Sequence, residues 1–429
     1  MSFEMEEMNK RRQERKDREN QRLHKERMMR IRLIFAVVIL LLCGTIIVAV
    51  GFGRSAEELR ETTVATTLPP ETTQPVETEP VSPTTVITLA AAGDLNVTDA
   101  VVAAGGMEYD YTNTFMDVLP QMAEADLTVL NFEGNACGAP YGKDSAPQQL
   151  LMALKGIGVD MLQLANSKAV NRGVAGLNAT VRNVRAAGMA SVGAVAEGEV
   201  PGAYVIRYVR GVKVAIVAFT KGLDGMAMPA GSEDLVNILY TDYASTYKTV
   251  NTKAVTKLLR QVQEEEPDIT IAMLHWGSEY SDIHSKSQTT VRDLMMKEGV
   301  DVIIGSHPHY VQEIEFDEKA GTLVAYSLGD FFGDANRSGT AYSIILELEI
   351  TKDNTTGITK VTDYHYTPIY TAEDDTGLLR VVRLREAIAA YDNSRVGRVT
   401  EETYESMLYG LQRIEARVHP ETTEKEEEN

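Results

Sequence analysis

Twenty consecutive uncharged residues, Leu33 to Phe52, constrain this chain more than any other feature of its sequence. At about 1.5 Å of rise per residue, a helix of this length spans about 30 Å, the thickness of a bilayer core. A cleaved signal peptide is the alternative. Its apolar region would be shorter, its leading segment would be far shorter than the 32 residues seen here, and a small-residue cleavage site would follow. We therefore expect a retained single transmembrane helix over residues 33–52.

The charges on either side of this segment predict its orientation. Residues 1–32 contain eleven Lys and Arg against seven Asp and Glu, which predicts a cytoplasmic basic arm. Residues 53–85 are rich in Thr, Pro and Glu, a composition that cannot bury a core and favours an extended extracellular linker. We expect a cell-membrane protein with a single pass, a cytoplasmic N-terminus and an extracellular C-terminal domain.

The pattern changes at Val86, where short apolar runs begin to alternate with amphipathic helical stretches. The runs are Val86–Ala92, Leu127–Phe132, Met161–Ala165, Val212–Phe219, Ile269–Leu274, Val300–Ile304 and Leu323–Tyr326. The helical stretches are Val174–Ala187, Lys253–Glu265, Thr289–Glu298 and Glu401–Arg417, and two antiparallel strands are expected over Ala341–Ile350 and Lys360–Tyr370. Such alternation predicts an α/β domain over residues 86–375. A C-terminal helix and an acidic tail would follow over residues 376–429.

Composition limits the partners that this domain can have. Residues after 32 carry 31 basic and 55 acidic side chains, so they are a poor surface for phosphate contacts and we expect no nucleic-acid partner.

One of the two cysteines, Cys43, lies in the apolar segment, which leaves Cys137 without an obvious disulfide partner within the chain.

Polar side chains accumulate where the predicted strands end. The clearest case is Gly305 to His309, in which an apolar run stops at a glycine and two histidines follow closely. Other strands end in Ala92-Gly93-Asp94, Asn131-Phe132-Glu133, Ala165-Asn166-Ser167-Lys168, His275-Trp276-Gly277-Ser278-Glu279-Tyr280 and Tyr326-Ser327-Leu328-Gly329-Asp330. Open α/β sheets place their ligands at such strand ends. Carboxylates and imidazoles are ligands for divalent transition metals, so the sequence predicts a candidate metal site.

The order and spacing of these motifs resemble the CapA family of poly-γ-glutamate capsule synthesis proteins, whose fold is similar to calcineurin-like metallophosphoesterases. The resemblance rests on the motifs NFEG, LAN, HWGSEY, GSHPH and YSLGDF, and it covers roughly residues 86–370. It implies a metallophosphoesterase-like sandwich of two mixed β-sheets flanked by helices, with the site along their shared edge.

The resemblance also implies roles for individual residues. The implied metal ligands are Asp94, Glu133, His275 and His307, and the catalytic candidates are His309, Lys168 and Glu279. His309 is implied as a further ligand or as a residue that orients the substrate, and Glu279 matches the acidic position of the HWG motif. Three positions depart from the family pattern: Ser167 and Lys168, where Asn166-Ser167-Lys168 stands for the usual Asn-Asn-His, and Asp330, where the family usually has Asn.

Two interpretations of the site stay open because of these departures. In the first, a divalent metal (Mn, Zn or Fe) serves a hydrolase or transferase involved in the biosynthesis of a capsule or another cell-surface polymer. In the second, the ammonium of Lys168 replaces the metal, and the domain is a non-catalytic scaffold or polymer-binding protein. A domain that only senses or docks in the wall is a third interpretation. The expected partners are an anionic cell-surface polymer, the membrane and capsule-synthesis membrane proteins.

Overall fold

The computed structural model describes residues 82–200, 202, 204–374, 377–392 and 399–418. The predicted basic arm, transmembrane segment and acidic tail, together with almost all of the linker, lie outside these ranges. Within them, every helix is too short or too polar to cross a bilayer.

The described residues form thirteen strands and eight α-helices. The strands are β1 (Thr84–Asn96), β2 (Leu127–Glu133), β3 (Met161–Gln163), β4 (Ala190–Val192), β5 (Tyr204–Val209), β6 (Val212–Thr220), β7 (Ile269–His275), β8 (Val302–Ser306), β9 (Ile314–Asp317), β10 (Thr322–Ala325), β11 (Tyr342–Asp353), β12 (Thr359–Glu373) and β13 (Leu379–Arg383). The helices are α1 (Asp99–Ala103), α2 (Leu119–Ala123), α3 (Gln148–Gly156), α4 (Gly173–Ala186), α5 (Thr252–Glu264), α6 (Lys286–Lys297), α7 (Leu384–Asp392) and α8 (Glu401–Val418).

The strands make two mixed sheets. One sheet has seven strands in the order β13-β12-β11-β1-β2-β3-β4, and the other has six in the order β5-β6-β7-β8-β10-β9. In the first sheet, β1 to β4 pair in parallel and run out to one edge at β4, and β11, β12 and β13 add antiparallel strands on the other side. In the second sheet, the parallel strands β6, β7, β8 and β10 occupy the centre, and the antiparallel strands β5 and β9 form the edges. The expected pair of mixed sheets flanked by helices is therefore confirmed.

Alternation along β6 shows how the layers are held together. Val214 and Ile216 belong to the core that the two sheets share, whereas Val217 and Phe219 pack with apolar residues of α5 and α6. Because successive side chains of a strand point to opposite faces, a strand buried on both faces is mostly apolar. That requirement explains the mostly apolar runs in the sequence.

Helix α5 illustrates how local sequence sets an element's limits. The side chain of Asn251 accepts a hydrogen bond from the backbone N–H of Ala254 and caps the first turn. Apolar residues at helical spacing then place one face on the second sheet: Val255, Leu258, Leu259 and Val262 are all buried. Helix α6 begins with a capping box formed by Ser285 and Gln288.

Each predicted apolar run overlaps a strand, and the four predicted helices overlap α4, α5, α6 and α8. Four strands, β4, β5, β9 and β13, were not predicted. Strand β4 has only three residues, too few for a periodic signal, and the strands β5 and β9 are exposed at sheet edges. Strand β13 pairs with β12 and extends the first sheet past residue 375.

Candidate metal centre

The predicted site residues converge where the two sheets meet. Glu133 is the last residue of β2 and His275 the last of β7, while His307 follows β8 directly. Asp94 lies near the end of β1, just after a register shift between β1 and β2. The backbone N–H of Asp94 donates to the carbonyl of Gly329 at 2.9 Å, which ties the end of β1 to the segment after β10.

Two glycines allow this close approach. A Cβ atom added to Gly305 would lie 1.9 Å from the carbonyl oxygen of Tyr326, and one added to Gly93 would lie 1.9 Å from the carbonyl oxygen of Gly329. Only a residue without a side chain fits at such distances. The glycine that ends the apolar run before His307 is thus required by backbone contact.

Asp94, Glu133 and His275 form a buried group in which one potential ligand atom from each lies within 4.8 Å of the others. Glu133 Oε1 accepts a hydrogen bond from Ser167 Oγ at 2.6 Å. Glu133 Oε2 and His275 Nε2 lie 3.7 Å apart, too far for a hydrogen bond, and neither has a partner among the described residues. Buried polar atoms are rarely left unpaired, so this pair of atoms suits a group that binds between them.

His307 lies beside this group. Its ring centroid is 4.5 Å from that of His275, and its Nδ1 is buried without a partner among the described residues. Its backbone N–H donates to Asp94 Oδ2 at 2.9 Å. Burial, followed by the nearby His275 and Lys221, holds the pKa of the His307 imidazole well below its usual value. The neutral ring is the form that ligates metals.

His309 belongs to an adjacent group with Asp94 and Asp330. Its Nδ1 lies 2.7 Å from Asp330 Oδ1, and both side chains are buried. Burial alone would lower the pKa of His309, but the charge and hydrogen bond of Asp330 outweigh it and hold that pKa well above its usual value. This group, unlike the first, contains a hydrogen-bonded pair. The ring of His309 also stacks on Tyr280, with centroids 5.4 Å apart.

Lys168 is half-buried, and its ammonium donates to Asn96 Oδ1. Burial would raise the pKa of Glu133, but the charge of Lys168, followed by the imidazole of His275, holds it well below its usual value. Lys168 therefore keeps the Glu133 carboxylate ionised, while Ser167 fixes one of its oxygens.

Glu279 is exposed, at the mouth of a cavity of about 240 Å³ that Lys221 and Asp224 also line. One of its carboxylate oxygens lies within 4.8 Å of ring nitrogens of His307 and His309. Lys221 and Asp224 were not predicted as site residues, although Lys221 directly follows the end of β6. The sequence marks Asp330 only as a departure from a motif, without its pairing to His309.

Residues 88–335 match the profile of the family described as "Bacterial capsule synthesis protein PGA_cap". The chain belongs to this family. It is 27% identical over 290 residues to "Capsule biosynthesis protein CapA" of Bacillus anthracis, an alignment that covers 64% of this chain and 66% of that protein. It is 25% identical over 242 residues to "PGA biosynthesis protein CapA" of Bacillus subtilis (strain 168), covering 55% of this chain and 59% of that protein. The chain thus spans less than two thirds of the length of each of these relatives. The CapA resemblance is confirmed.

Solved structures show more distant similarity. The calcineurin-like phosphoesterase YfkN from Bacillus subtilis is 18% identical with a TM-score of 0.41, covering 76% of this chain and 99% of that chain. A phosphatase from Mycoplasma pneumoniae is 12% identical with a TM-score of 0.39, covering 67% of this chain and 94% of that chain. Similarity at this level carries no argument about the site or its chemistry.

Proposed function

We propose that this chain is a membrane-anchored, exported CapA-like protein that acts in the biosynthesis of a capsule or another anionic surface polymer, as a metal-dependent hydrolase or transferase. Family membership and the names of the two CapA relatives support a role in capsule or surface-polymer biosynthesis. The uncharged segment over residues 33–52 supports the anchor. A poly-γ-glutamate-like polymer is the substrate class that fits this family.

One observation carries the metal-dependent part of the proposal. Glu133 Oε2, His275 Nε2 and His307 Nδ1 are buried and have no hydrogen-bond partner in the part of the chain that the structure describes. A carboxylate oxygen and imidazole nitrogens are the donor set that suits Zn²⁺, Mn²⁺ or Fe²⁺. We propose that Asp94, Glu133 and His275 hold the ion and that His307 completes the site. A divalent ion there would act as a Lewis acid on an oxygen of the scissile group.

The other residues prepare the site in distinct ways. Lys168 maintains the negative charge of Glu133, and Ser167 orients its carboxylate through Oε1. Asp330 holds His309 through Nδ1, so Nε2 is the nitrogen left for a contact with substrate. Glu279, at the exposed mouth, is positioned to contact substrate rather than to stabilise the core.

A non-catalytic scaffold is the second candidate function, and Lys168 is the observation that favours it. Its ammonium already compensates the buried Glu133 carboxylate without any bound ion. A chain of this kind would bind polymer at the same sheet edge without cleaving it.

Metal analysis tests the first proposal. We would purify the full-length chain in mild detergent without chelators and measure its metal content by mass spectrometry, together with calorimetric binding of Mn²⁺ and Zn²⁺. We expect about one equivalent, since Asp94, Glu133 and His275 each offer a ligand atom within 4.8 Å of the others. His275→Gln should weaken binding at least about tenfold, because it removes a ligand. His365→Gln is the matched control, since the His365 side chain is 78% exposed and lies on β12.

Two results would contradict the proposal at different points. Less than about a tenth of an equivalent, with no calorimetric binding, would refute the metal centre. A second result is a chain that binds a full equivalent of metal and shows no hydrolysis of a phosphoester or a γ-glutamyl amide that a chelator abolishes. That result would favour the scaffold.

A further inference from the structure

We propose that the cavity beside the candidate metal centre binds an α-amino-acid zwitterion, a group that carries an ammonium and a carboxylate on one carbon. This inference rests on the proposed function in surface-polymer biosynthesis and names the part of the substrate that is recognised. In a γ-linked glutamate chain every residue keeps its α-carboxylate, but only the first residue has a free α-ammonium. The cavity would therefore bind the amino end of such a chain.

The size of the cavity fits a single residue. Its volume of about 240 Å³ is below the roughly 300–1,000 Å³ of pockets that hold drug-sized ligands. Its walls come from several segments: Ser167 after β3, Lys221 and Asp224 after β6, Tyr247 before α5, and Glu279 after β7. It is a small, polar compartment built around charged side chains.

Lys221 provides the positive end. Its ammonium is half-buried, donates to the carbonyl of Gly277 at 2.6 Å and lies 4.6 Å from the ring centroid of Tyr247. None of the described carboxylates forms an ion pair with it. An ammonium has three N–H donors, so two remain after the bond to Gly277. A ligand carboxylate would accept from them in a charge-assisted hydrogen bond.

Asp224 and Glu279 provide the negative end. Both are exposed, and they line the same cavity as the half-buried Lys221. A simple anion attracted by Lys221 would be repelled by these carboxylates, and a simple cation would be repelled by Lys221. A zwitterion satisfies both ends, because its carboxylate can reach Lys221 while its ammonium faces the carboxylates.

His307 connects the cavity to the candidate metal centre. It lines the cavity, is 4% exposed, and its Nδ1 has no hydrogen-bond partner among the described residues. A residue bound in the cavity would thus lie next to the proposed ligands. The chemistry would act near the chain end rather than at random positions along the polymer.

Calorimetry with matched dipeptides tests the inference. The probe is γ-glutamylglutamate, titrated into the full-length chain in detergent. Two analogues each remove one charge of the first residue: the N-acetyl dipeptide lacks the ammonium and the α-amide lacks the carboxylate. We expect both analogues to bind about tenfold more weakly or worse, as loss of a charge-assisted hydrogen bond requires.

Variants assign each charge to a side chain. Lys221→Met should weaken the dipeptide about tenfold and leave binding of the α-amide unchanged, since the first residue of that analogue has no α-carboxylate for Lys221 to bind. Glu279→Gln should weaken the dipeptide and leave the N-acetyl analogue unchanged. Lys257→Met and Glu264→Gln are matched controls, because both residues are exposed on α5. The comparison of ligands on the parent chain stands even where a variant fails to fold.

Equal binding of the dipeptide and its N-acetyl analogue would show a simple anion site and overturn the inference. Absence of dipeptide binding at about 10 mM would overturn it as well. The outcomes are separable from those of the metal test. Metal binding without discrimination between ligands would refute only the zwitterion subsite, whereas Lys221-dependent dipeptide binding without metal would refute only the metal centre.

Discussion

Gly305→Ala perturbs the contact that brings His307 to the site. The added Cβ would lie 1.9 Å from the carbonyl oxygen of Tyr326, 2.5 Å from its carbonyl carbon and 2.7 Å from Trp276 Nε1. Favourable contacts between heavy atoms begin near about 3.5 Å, so β8 and the end of β10 would have to separate by about 1.5 Å. The obstacle is a backbone carbonyl, which no change of rotamer can move.

The expected cost follows from these contacts. Overpacking that side chains can absorb costs about 1–3 kcal/mol, so a clash with backbone should reach or exceed the upper figure. Separation of the strands would also break the hydrogen bond from Trp276 Nε1 to the Tyr326 carbonyl, which is 2.9 Å long. That loss adds about 1 kcal/mol. We therefore expect Gly305→Ala to lower the free energy of unfolding by about 3–4 kcal/mol.

Tryptophan fluorescence during urea unfolding is the assay, because Trp276 is the single tryptophan of the chain and lies at the perturbed contact. With a slope of about 3 kcal/mol per molar urea, the midpoint should fall by about 1 M. Gly156→Ala is the matched control: this glycine lies at the end of α3 with no atom within 4 Å of an added Cβ. It should leave the midpoint unchanged or raise it slightly. A Gly305→Ala midpoint equal to that of the parent would refute the strand packing described here.

Three further predictions concern charge. Lys168→Met should lower divalent-metal affinity about tenfold, because it removes the charge that keeps the buried Glu133 carboxylate ionised, and an unchanged or higher calorimetric affinity would contradict this. Asp242 accepts hydrogen bonds from Thr246, Lys248 and Thr249, which lower its pKa to about 2, so its carboxyl carbon should titrate in NMR near that pH. The pKa of Asp242 is lower in the folded than in the unfolded chain, so the stability that these hydrogen bonds contribute is present above about pH 4 and is lost as the pH falls through about 2. A titration midpoint of Asp242 near about 4 would refute this prediction. Arg292→Lys should cost about 1–2 kcal/mol, since an ammonium cannot keep the contacts of Nη1 with Glu315 and Tyr326 together with those of Nε and Nη2 with Asp293, and unchanged thermal unfolding would contradict this.

The buried strands could be predicted from sequence because burial on both faces leaves a short, mostly apolar run. Val302 to Ile304 and Ile269 to Leu274 are such runs, and both are central strands of the second sheet. The expectation that ligands lie at strand ends then predicted that Glu133, His275 and His307 lie at one edge of the sheets. It also brought together Asp94 and His307, which are 213 residues apart in the chain.

The pairing within the site could not be predicted in the same way. His307 and His309 both have positive φ angles, 92° and 60°, and this unusual backbone sets the direction of each ring. The bond between His309 and Asp330 depends on that local geometry, which no periodic pattern encodes. Lys221 was missed for a different reason, because one lysine after one strand gives a signal that only the assembled cavity makes informative.

Anomalous diffraction from crystals of the chain soaked with Mn²⁺ tests the central claim most directly. We expect one anomalous peak among Asp94, Glu133 and His275, with Glu133 Oε2 and His275 Nε2 at coordination distances of about 2.0–2.3 Å. The half-exposed group of His284, Glu313 and Glu315 provides an internal comparison, since its donor atoms also lie within 4.8 Å of one another. A peak at that surface group alone, or at neither group, would contradict the claim that the buried strand ends form a metal centre.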